Sequence, residues 1–442
     1  MRVIIMRRFF TAVALLFVAA GAVLYAADQG LTLQEARNQA LARSKTLQKL
    51  LLSVDSALID ERITSYNWLP SITASASAGA DVPSASLLDA LGVSAGVSVK
   101  QQVFDGGVTA IQSAIDKLAT STAREAAREQ YLSVLSSADS AYYGVMEAEA
   151  SLEGAKADLA NAKVLQDLAQ AKLDAGIIVR SDLLLVESET AAKQTALSQA
   201  QGKLSVARRT LASLTGLPLP ITIASDDTSR YDDVMTRIAA LDDAKIESLL
   251  SGLTTAAGKN TPSLSQTRLA TEEAKKAVDL AAADYLPTVS ASWTNSLSYT
   301  ASTGVPSSAL TLSASLPLNI WSTKASVDSK SIASQQASLT EGETQRTLAL
   351  SIESAVYDII SAAQSVASSQ KALEYAQSHY EGVLEQYRLS AASASDLSDA
   401  ELLVSTNRTA LITARFTFLT DISSLRTYCG LESDDMILQM VP

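Results

Sequence analysis

The chain has 442 residues and a formal net charge of −12. Binding to a polyphosphate needs clustered Lys and Arg, so this acidic balance argues against DNA or RNA as a partner. One cysteine, Cys429, excludes an internal disulfide, and with one histidine, His379, the ligands of a structural zinc site are lacking. A Ser–His–Asp triad would depend on His379, which has no nucleophile motif near it. The composition therefore indicates no enzyme, no metal site and no cofactor.

The N-terminus has the pattern of a secretory signal peptide. Basic residues precede an uncharged run from Phe9 to Ala27, and small residues lie near the end of that run. We therefore predict a signal peptide over residues 1–26, with cleavage after Ala22 or near Ala26, and export of the rest. A retained membrane anchor is the alternative, because the run approaches the ~20 residues of a spanning helix.

The rest of the chain is a tandem duplication. Asn67-Trp68-Leu69-Pro70 matches Asp284-Tyr285-Leu286-Pro287 at an offset of 217, and Thr215-Gly216-Leu217 matches Cys429-Gly430-Leu431 at an offset of 214. The near-constant offset divides the chain into two repeats with the same internal order. The predicted segments are a first repeat over 27–217, an insertion over 218–260, a second repeat over 261–431 and a C-terminal tail over 432–442.

Each repeat contains a predicted β-hairpin. A helical segment, about 32–67 and then 262–284, ends at Leu-Pro, because proline lacks the N–H that would continue the helix. Apolar residues then occupy alternate positions, with Ser and Thr in most of the positions between them. Such a run has the length of a membrane-spanning strand, and no charged residue lies between Asp284 and Lys324. The predicted strands are about 71–80, 91–103, 288–300 and 308–318.

These four strands predict an oligomer. A pair of soluble hairpins with Ser and Thr facing water is the alternative, but soluble hairpins seldom avoid charge over such a length. In lipid, an open sheet edge leaves backbone groups unpaired, and closure needs about eight strands or more. Two copies of the chain would supply eight strands and three copies would supply twelve.

Two long helices and two short breaks complete the repeats. Helices over about 108–174 and 325–388 would each extend about 100 Å, and the breaks, or tips, are 175–181 and 389–395. Gly176 suits a helix C-terminus, and Ser181 or Asp182 is the expected N-cap of the returning helix. Ser395 or Asp396 has the same expected role in the second repeat. The apolar run Ile177-Ile178-Val179 either packs within the hairpin or docks a partner protein.

The order of these features resembles the TolC-like outer-membrane efflux proteins, the outer membrane factors, over essentially the whole mature chain. The resemblance rests on the duplication, on the hairpin exit Val103-Phe104-Asp105-Gly106-Gly107, and on the tip Gly176…Ser181-Asp182-Leu183. It implies a mainly α-helical homotrimer with a twelve-strand β-barrel in the outer membrane and a twelve-helix α-barrel in the periplasm. The second repeat departs from the family where Ser390 stands in place of a frequent glycine.

The resemblance also implies a function. It is that of a passive exit duct in a tripartite efflux or type I secretion system, joined to a periplasmic adaptor and an inner-membrane transporter of RND, ABC or MFS type. The implied adaptor-docking residues at the tips are Gly176, Ile177, Ile178, Ser181, Asp182, Leu183, Ser390, Ser395, Asp396 and Leu397. The implied candidates for a periplasmic gate are Asp167, Asp174, Glu381 and Glu385.

Two questions stay open in the sequence. An exported trimeric coiled-coil adhesin would also explain long helices and oligomerisation, although it would not explain the duplication or the uncharged hairpins. The transported substrate is equally open between drugs, metals and proteins, since the same duct serves all three.

Overall fold

The computed structural model describes residues 30–80, 91–224, 230–300 and 303–440. The predicted signal peptide therefore lies outside the described residues. The chain divides into two compact units. Unit 1 comprises Met1–Lys45, Tyr131–Ala257 and Leu350–Pro442, and unit 2 comprises Thr46–Gln130 and Gly258–Ala349.

Long helices and four strands make up the described chain. In order, the elements are α1 (Leu33–Arg43), α2 (Lys45–Ser65), β1 (Ser71–Ala80), β2 (Leu91–Phe104), α3 (Val108–Asp174), α4 (Arg180–Thr215), α5 (Arg230–Ala239), α6 (Asp243–Asn260), α7 (Pro262–Ala283), β3 (Thr288–Thr300), β4 (Thr303–Ser315), α8 (Ile320–Arg388), α9 (Ala394–Tyr428) and α10 (Asp435–Met440). No helix in these parts of the chain is both long enough and apolar enough to cross a membrane.

Three element boundaries differ from those expected from the sequence. β4 covers Thr303–Ser315 and not 308–318, since it pairs along the whole of β3 and its last partner is Thr288. Pro306 lies inside β4, where an edge strand tolerates a residue without an N–H. α8 begins at Ile320 and not near 325. The helix expected over 32–67 is divided at Ser44, whose extended backbone ends α1.

The sheet of unit 2 is a single antiparallel layer in the order β1-β2-β3-β4. β2 belongs to the first repeat and β3 to the second, so the two hairpins lie side by side. The register places Val99 opposite both Ile72 and Trp293, and Trp293 opposite Leu310. Because directly opposed residues share a face, the register joins the alternating patterns of all four strands into one pattern.

The two faces of this sheet differ in polarity. One face carries the apolar positions, including Ile72, Val97, Trp293, Leu297 and Leu310, all of which are exposed. The other face carries mostly Ser and Thr, and in one row of the register Thr73, Ser98 and Thr294 lie side by side. Contact between such an apolar face and water is unfavourable, so this face is expected to contact a membrane or another protein surface.

Unit 1 contains a buried cluster of four charges, which we call the ionic quartet: Arg37 of α1, Asp139 of α3, Arg426 of α9, and Asp434. Asp139 accepts hydrogen bonds from Arg37 Nε at 2.5 Å and from Arg426 Nη2 at 2.6 Å. Asp434 accepts from Arg426 Nη1 at 3.1 Å and from Arg37 Nη2 at 3.2 Å. Two cations and two anions compensate one another, so removing any one of them would leave a buried charge unpaired.

Candidate functional site

The first tip lies between α3 and α4 and turns at a glycine. Gly176 has φ +71°, in the left-handed region that residues with a Cβ disfavour. The N–H of Ile177 donates to the carbonyl of Lys172, and the N–H of Gly176 donates to that of Leu173, both at 2.8 Å. This pair of bonds is the Schellman motif, which satisfies carbonyls at the end of α3. The sequence-based assignment of Gly176 to a helix C-terminus agrees with this geometry.

The second tip, between α8 and α9, makes the same turn without a glycine. Ser390 stands 214 positions after Gly176 and has φ +60°. The N–H of Ala391 donates to the carbonyl of Gln386 at 2.8 Å, and the N–H of Ser390 donates to that of Tyr387 at 3.0 Å. The hydrogen-bond pattern is again the Schellman motif, so the backbone of the two tips is conserved between repeats while the residue at the turn is not.

The N-caps of the returning helices differ from the prediction. α4 begins at Arg180 with Val179 as its N-cap, and α9 begins at Ala394 with Ser393 as its N-cap. The expectation of Ser181 or Asp182, and of Ser395 or Asp396, as N-caps was therefore wrong. These residues lie two or three positions after the N-caps, inside the first turn, where an acidic side chain interacts favourably with the positive end of the helix dipole.

The second tip has a complete capping box. The hydroxyl of Ser393 accepts from the N–H of Asp396 at 3.1 Å, and the carboxylate of Asp396 accepts from the N–H of Ser393 at 2.9 Å. Hydrogen bonds from the hydroxyl and then the N–H of Ser393 hold the pKa of Asp396 below its usual value. Val179 has no side chain that can form such a cap, so the first tip lacks this stabilisation.

A shared hydrophobic cluster lies behind both tips. Leu183 and its repeat equivalent Leu397 are 2% and 3% exposed, and both belong to one cluster with Val186, Val383 and other residues of the four helices. Within one protomer, the structure therefore places Leu183 and Leu397 in the interior of unit 1. Leu183 and Leu397 lie beside the tips along the chain, but within one protomer their side chains are not exposed to a docking partner.

The apolar run of the first tip is divided between interior and surface. Ile178 is partly buried and packs against the cluster, whereas Ile177 and Val179 are 56% and 62% exposed. Leu184 and Leu389 are exposed as well. Packing within the hairpin therefore accounts for one of the three residues, and the other two remain available to a partner.

Lys172 joins the two tips, a role that was not predicted from the sequence. Its side chain is only 6% exposed, and its Nζ donates to the carbonyl oxygen of Tyr387 and, at 3.2 Å, to Oγ of Ser390. The same Nζ lies 4.1 Å from the centroid of the Tyr387 ring. The one available signal was an asymmetry between repeats, since the equivalent position holds Gln386.

The four gate candidates lie on exposed surfaces of the long helices. Asp174 accepts a hydrogen bond from Gln170 at 2.8 Å, and Glu385 pairs with Arg388 at 3.4 Å, three residues further along α8. Asp167 and Glu381 are exposed as well. The structure thus leaves all four carboxylates accessible within one protomer, and none of them is held in the hydrophobic cluster behind the tips.

The described residues contain no group of three or more His, Cys, Asp or Glu side chains that could hold a metal ion. The tips present a surface that consists of two tight backbone turns, the exposed apolar side chains beside them, and carboxylates a few helical turns away.

Several solved structures of membrane proteins have a similar fold. The chain matches CusC, described as forming a transmembrane channel, with a TM-score of 0.76 at 17% identity, covering 90% of this chain and 92% of that one. It matches the outer membrane protein VceC of Vibrio cholerae with a TM-score of 0.75 at 16% identity, covering 90% and 96%. The MtrE outer membrane channel of Neisseria gonorrhoeae, in its open state, gives 0.71 at 16% identity, covering 90% and 89%. No curated protein sequence matches the chain.

The sequence itself matches the outer membrane efflux protein family over residues 36–217 and 253–431. The two matched segments correspond to the two repeats. The chain belongs to this family, and the resemblance inferred from its motifs is confirmed. It is a mainly helical efflux channel of the outer membrane with a large periplasmic portion, and as a member of this family it is a passive channel and not an enzyme.

Proposed function

We propose that three copies of the chain together form one exit duct, with a closed twelve-strand barrel in the outer membrane and a twelve-helix tunnel on its periplasmic side. The observation that carries this proposal is the four-stranded sheet of unit 2. Within the described residues, β1 and β4 have no further strand beside them, and one face of the sheet is apolar and exposed. In lipid, each backbone N–H or C=O group that lacks a hydrogen-bond partner costs roughly several kcal/mol, so both edges of the sheet need a neighbouring strand.

The strand directions allow another copy to supply the missing neighbour. Each adjacent pair in the sheet is antiparallel, so β1 and β4 run in opposite directions. β4 of one copy placed beside β1 of the next therefore continues the antiparallel order of the sheet. Repeating this step three times with four strands each gives twelve strands, and the ring closes without an edge.

The two faces of the sheet fit the two sides of such a barrel. The face with Ile72, Trp293 and Leu310 meets lipid, and the face with Thr73, Ser98 and Thr294 lines an aqueous interior. This alternation of apolar and polar residues is the pattern of membrane barrels. It favours the membrane assignment over a pair of soluble hairpins.

The tips are the proposed docking site for a periplasmic adaptor. Exposed Ile177 and Val179 at the first tip and Leu389 at the second supply apolar contact area, and the backbone turns at Gly176 and Ser390 supply a fixed shape. Through the adaptor, the duct receives substrate from an inner-membrane transporter of RND, ABC or MFS type, in tripartite efflux or type I secretion. Those partners select the substrate.

A first experiment tests the sheet edges by disulfide cross-linking. A cysteine replaces Thr73 on β1, and a second replaces Ala309, Thr311 or Ser313 on β4, since these three positions share the polar face with Thr73. Oxidation of at least one pair should give covalent trimers on a denaturing gel. Ser98→Cys with Thr311→Cys is the matched control, because β2 is an interior strand and cannot reach another copy.

The same purified protein then tests the duct in planar bilayers. Trimers should conduct and prefer cations, and Glu381→Ala with Glu385→Ala should weaken that preference if these exposed carboxylates line the periplasmic end. Equal conductance and selectivity would remove both residues from the gate and leave the duct intact. Non-conducting monomers with no covalent trimer from any cysteine pair would contradict the duct itself and favour a structural or adhesive protein.

A further inference from the structure

We propose that Lys172 is the positioning residue that holds the second tip in its left-handed turn. Ser390 is unusual at this position, because among the described residues it alone combines a positive φ with a side chain other than that of glycine. An L residue in this region brings its Cβ close to the following carbonyl, so the conformation needs support from its surroundings.

The contacts of Lys172 provide that support. The ammonium group donates to Oγ of Ser390, which fixes the side chain of the strained residue. It also donates to the carbonyl of Tyr387, in the last turn of α8, where a cation is favoured by the negative end of the helix dipole. The Tyr387 ring beneath Nζ completes a site in which a nearly buried cation has partners on several sides.

The duplication provides the comparison that assigns this role. At the first tip the turn residue is Gly176, which adopts the left-handed region without strain, and the position equivalent to Lys172 is the exposed Gln386. At the second tip the turn residue is Ser390 instead of glycine, and the ammonium group of Lys172, from α3, contacts it. The turn that lacks glycine is therefore the one that is held by a cation from the other helical hairpin.

This inference goes beyond the proposed duct, because it concerns the tip of each protomer whether or not three copies close a barrel. It also has a consequence for docking. The shape of the second tip depends on a residue of α3 only four positions before Gly176, so a partner that moves the end of α3 also acts on the turn at Ser390.

Hydrogen exchange read by mass spectrometry on the full-length protein in detergent tests the assignment. Lys172→Met keeps an unbranched side chain that is one atom shorter and removes the ammonium donors. We expect exchange at the amides of Leu389, Ser390 and Ala391 to become about tenfold faster. The amides of Gly176 and Ile177 at the first tip should keep their protection, because Gly176 adopts its left-handed conformation without strain and the hydrogen bonds of the Lys172 ammonium go to the second tip. Gln386→Met is the matched control and should leave both tips unchanged.

A rescue variant separates positioning from general stability. Ser390→Gly removes the need for support at the turn, so Lys172→Met with Ser390→Gly should regain most of the lost protection. Unchanged exchange in Lys172→Met would overturn the proposal. Faster exchange at both tips, or no rescue by glycine, would overturn it as well, since either would show that Lys172 contributes only to general packing. None of these outcomes depends on conductance or on trimer formation.

Discussion

The tip between α3 and α4 turns at Gly176 and has Val179 as the N-cap of its returning helix, whereas the tip between α8 and α9 turns at Ser390 and has Ser393 as that N-cap. Both have the same backbone hydrogen bonds. The first relies on the freedom of glycine at its turn; the second relies on hydrogen bonds that involve the side chains of Lys172, Ser393 and Asp396. Duplicated segments can therefore keep a backbone conformation while the interactions that stabilise it are replaced.

The hydrophobic cluster is where the two tips should behave alike, and its variants have the largest expected effect. Leu183→Ala and Leu397→Ala each empty a nearly buried site, and each should lower the free energy of unfolding by about 2–4 kcal/mol. The loss of unfolding free energy in the double variant should differ from the sum of the two single losses, because both residues belong to one cluster. Thermal unfolding followed by circular dichroism measures the loss. The exposed neighbour Leu184 is the control, and an equal loss in Leu184→Ala would contradict the shared core.

Substituting the turn residue of each tip by that of the other should affect the stability of the two tips differently. Gly176→Ser places a Cβ at φ +71° in open space, so its effect of about 1 kcal/mol comes from the backbone alone. Ser390→Gly removes strain and should be close to neutral. Hydrogen exchange at Ile177 and Ala391 reports each turn separately. If Gly176→Ser left the Ile177 amide fully protected, the first tip would not depend on glycine.

The smallest expected effect concerns the capping box, and it depends on pH. Ser393→Ala should make the amide of Asp396 exchange several times faster, while Val179→Ala should change little. The folded-state pKa of Asp396 lies below 3.8, the value of an unfolded carboxyl. The stabilisation is therefore fully present above that value and is lost as the pH falls through the lower, folded-state pKa. A pH-independent loss of protection in Ser393→Ala would show that the carboxylate is not part of the cap.

Much of the fold followed from local patterns in the sequence. The hairpins were predictable because the period of two is regular and Leu-Pro marks where each begins. The start of β4 was not, because Pro306 argues against a strand until the strand is known to be at an edge. The long helices followed from composition, but the division at Ser44 has no strong helix-breaking residue to announce it.

The site was less predictable, because it depends on contacts between repeats. Ser393, Ser395 and Asp396 are all residues that favour an N-cap, so composition alone could not choose among them. At the first tip the N-cap is Val179, a residue type that gives no capping signal. Lys172 is one of several lysines on α3, and its role appears only when α8 is placed beside it.

The ionic quartet makes the core of unit 1 depend on both ends of the described chain. Arg37 and Asp434 are separated by 397 residues along the chain, yet they share a buried hydrogen bond. A chain that ended before Asp434 would leave Arg37 and Arg426 with only Asp139 between them, and the core of unit 1 would carry an excess positive charge. Truncation of the last few residues is therefore felt in a core that also contains one of the first helices.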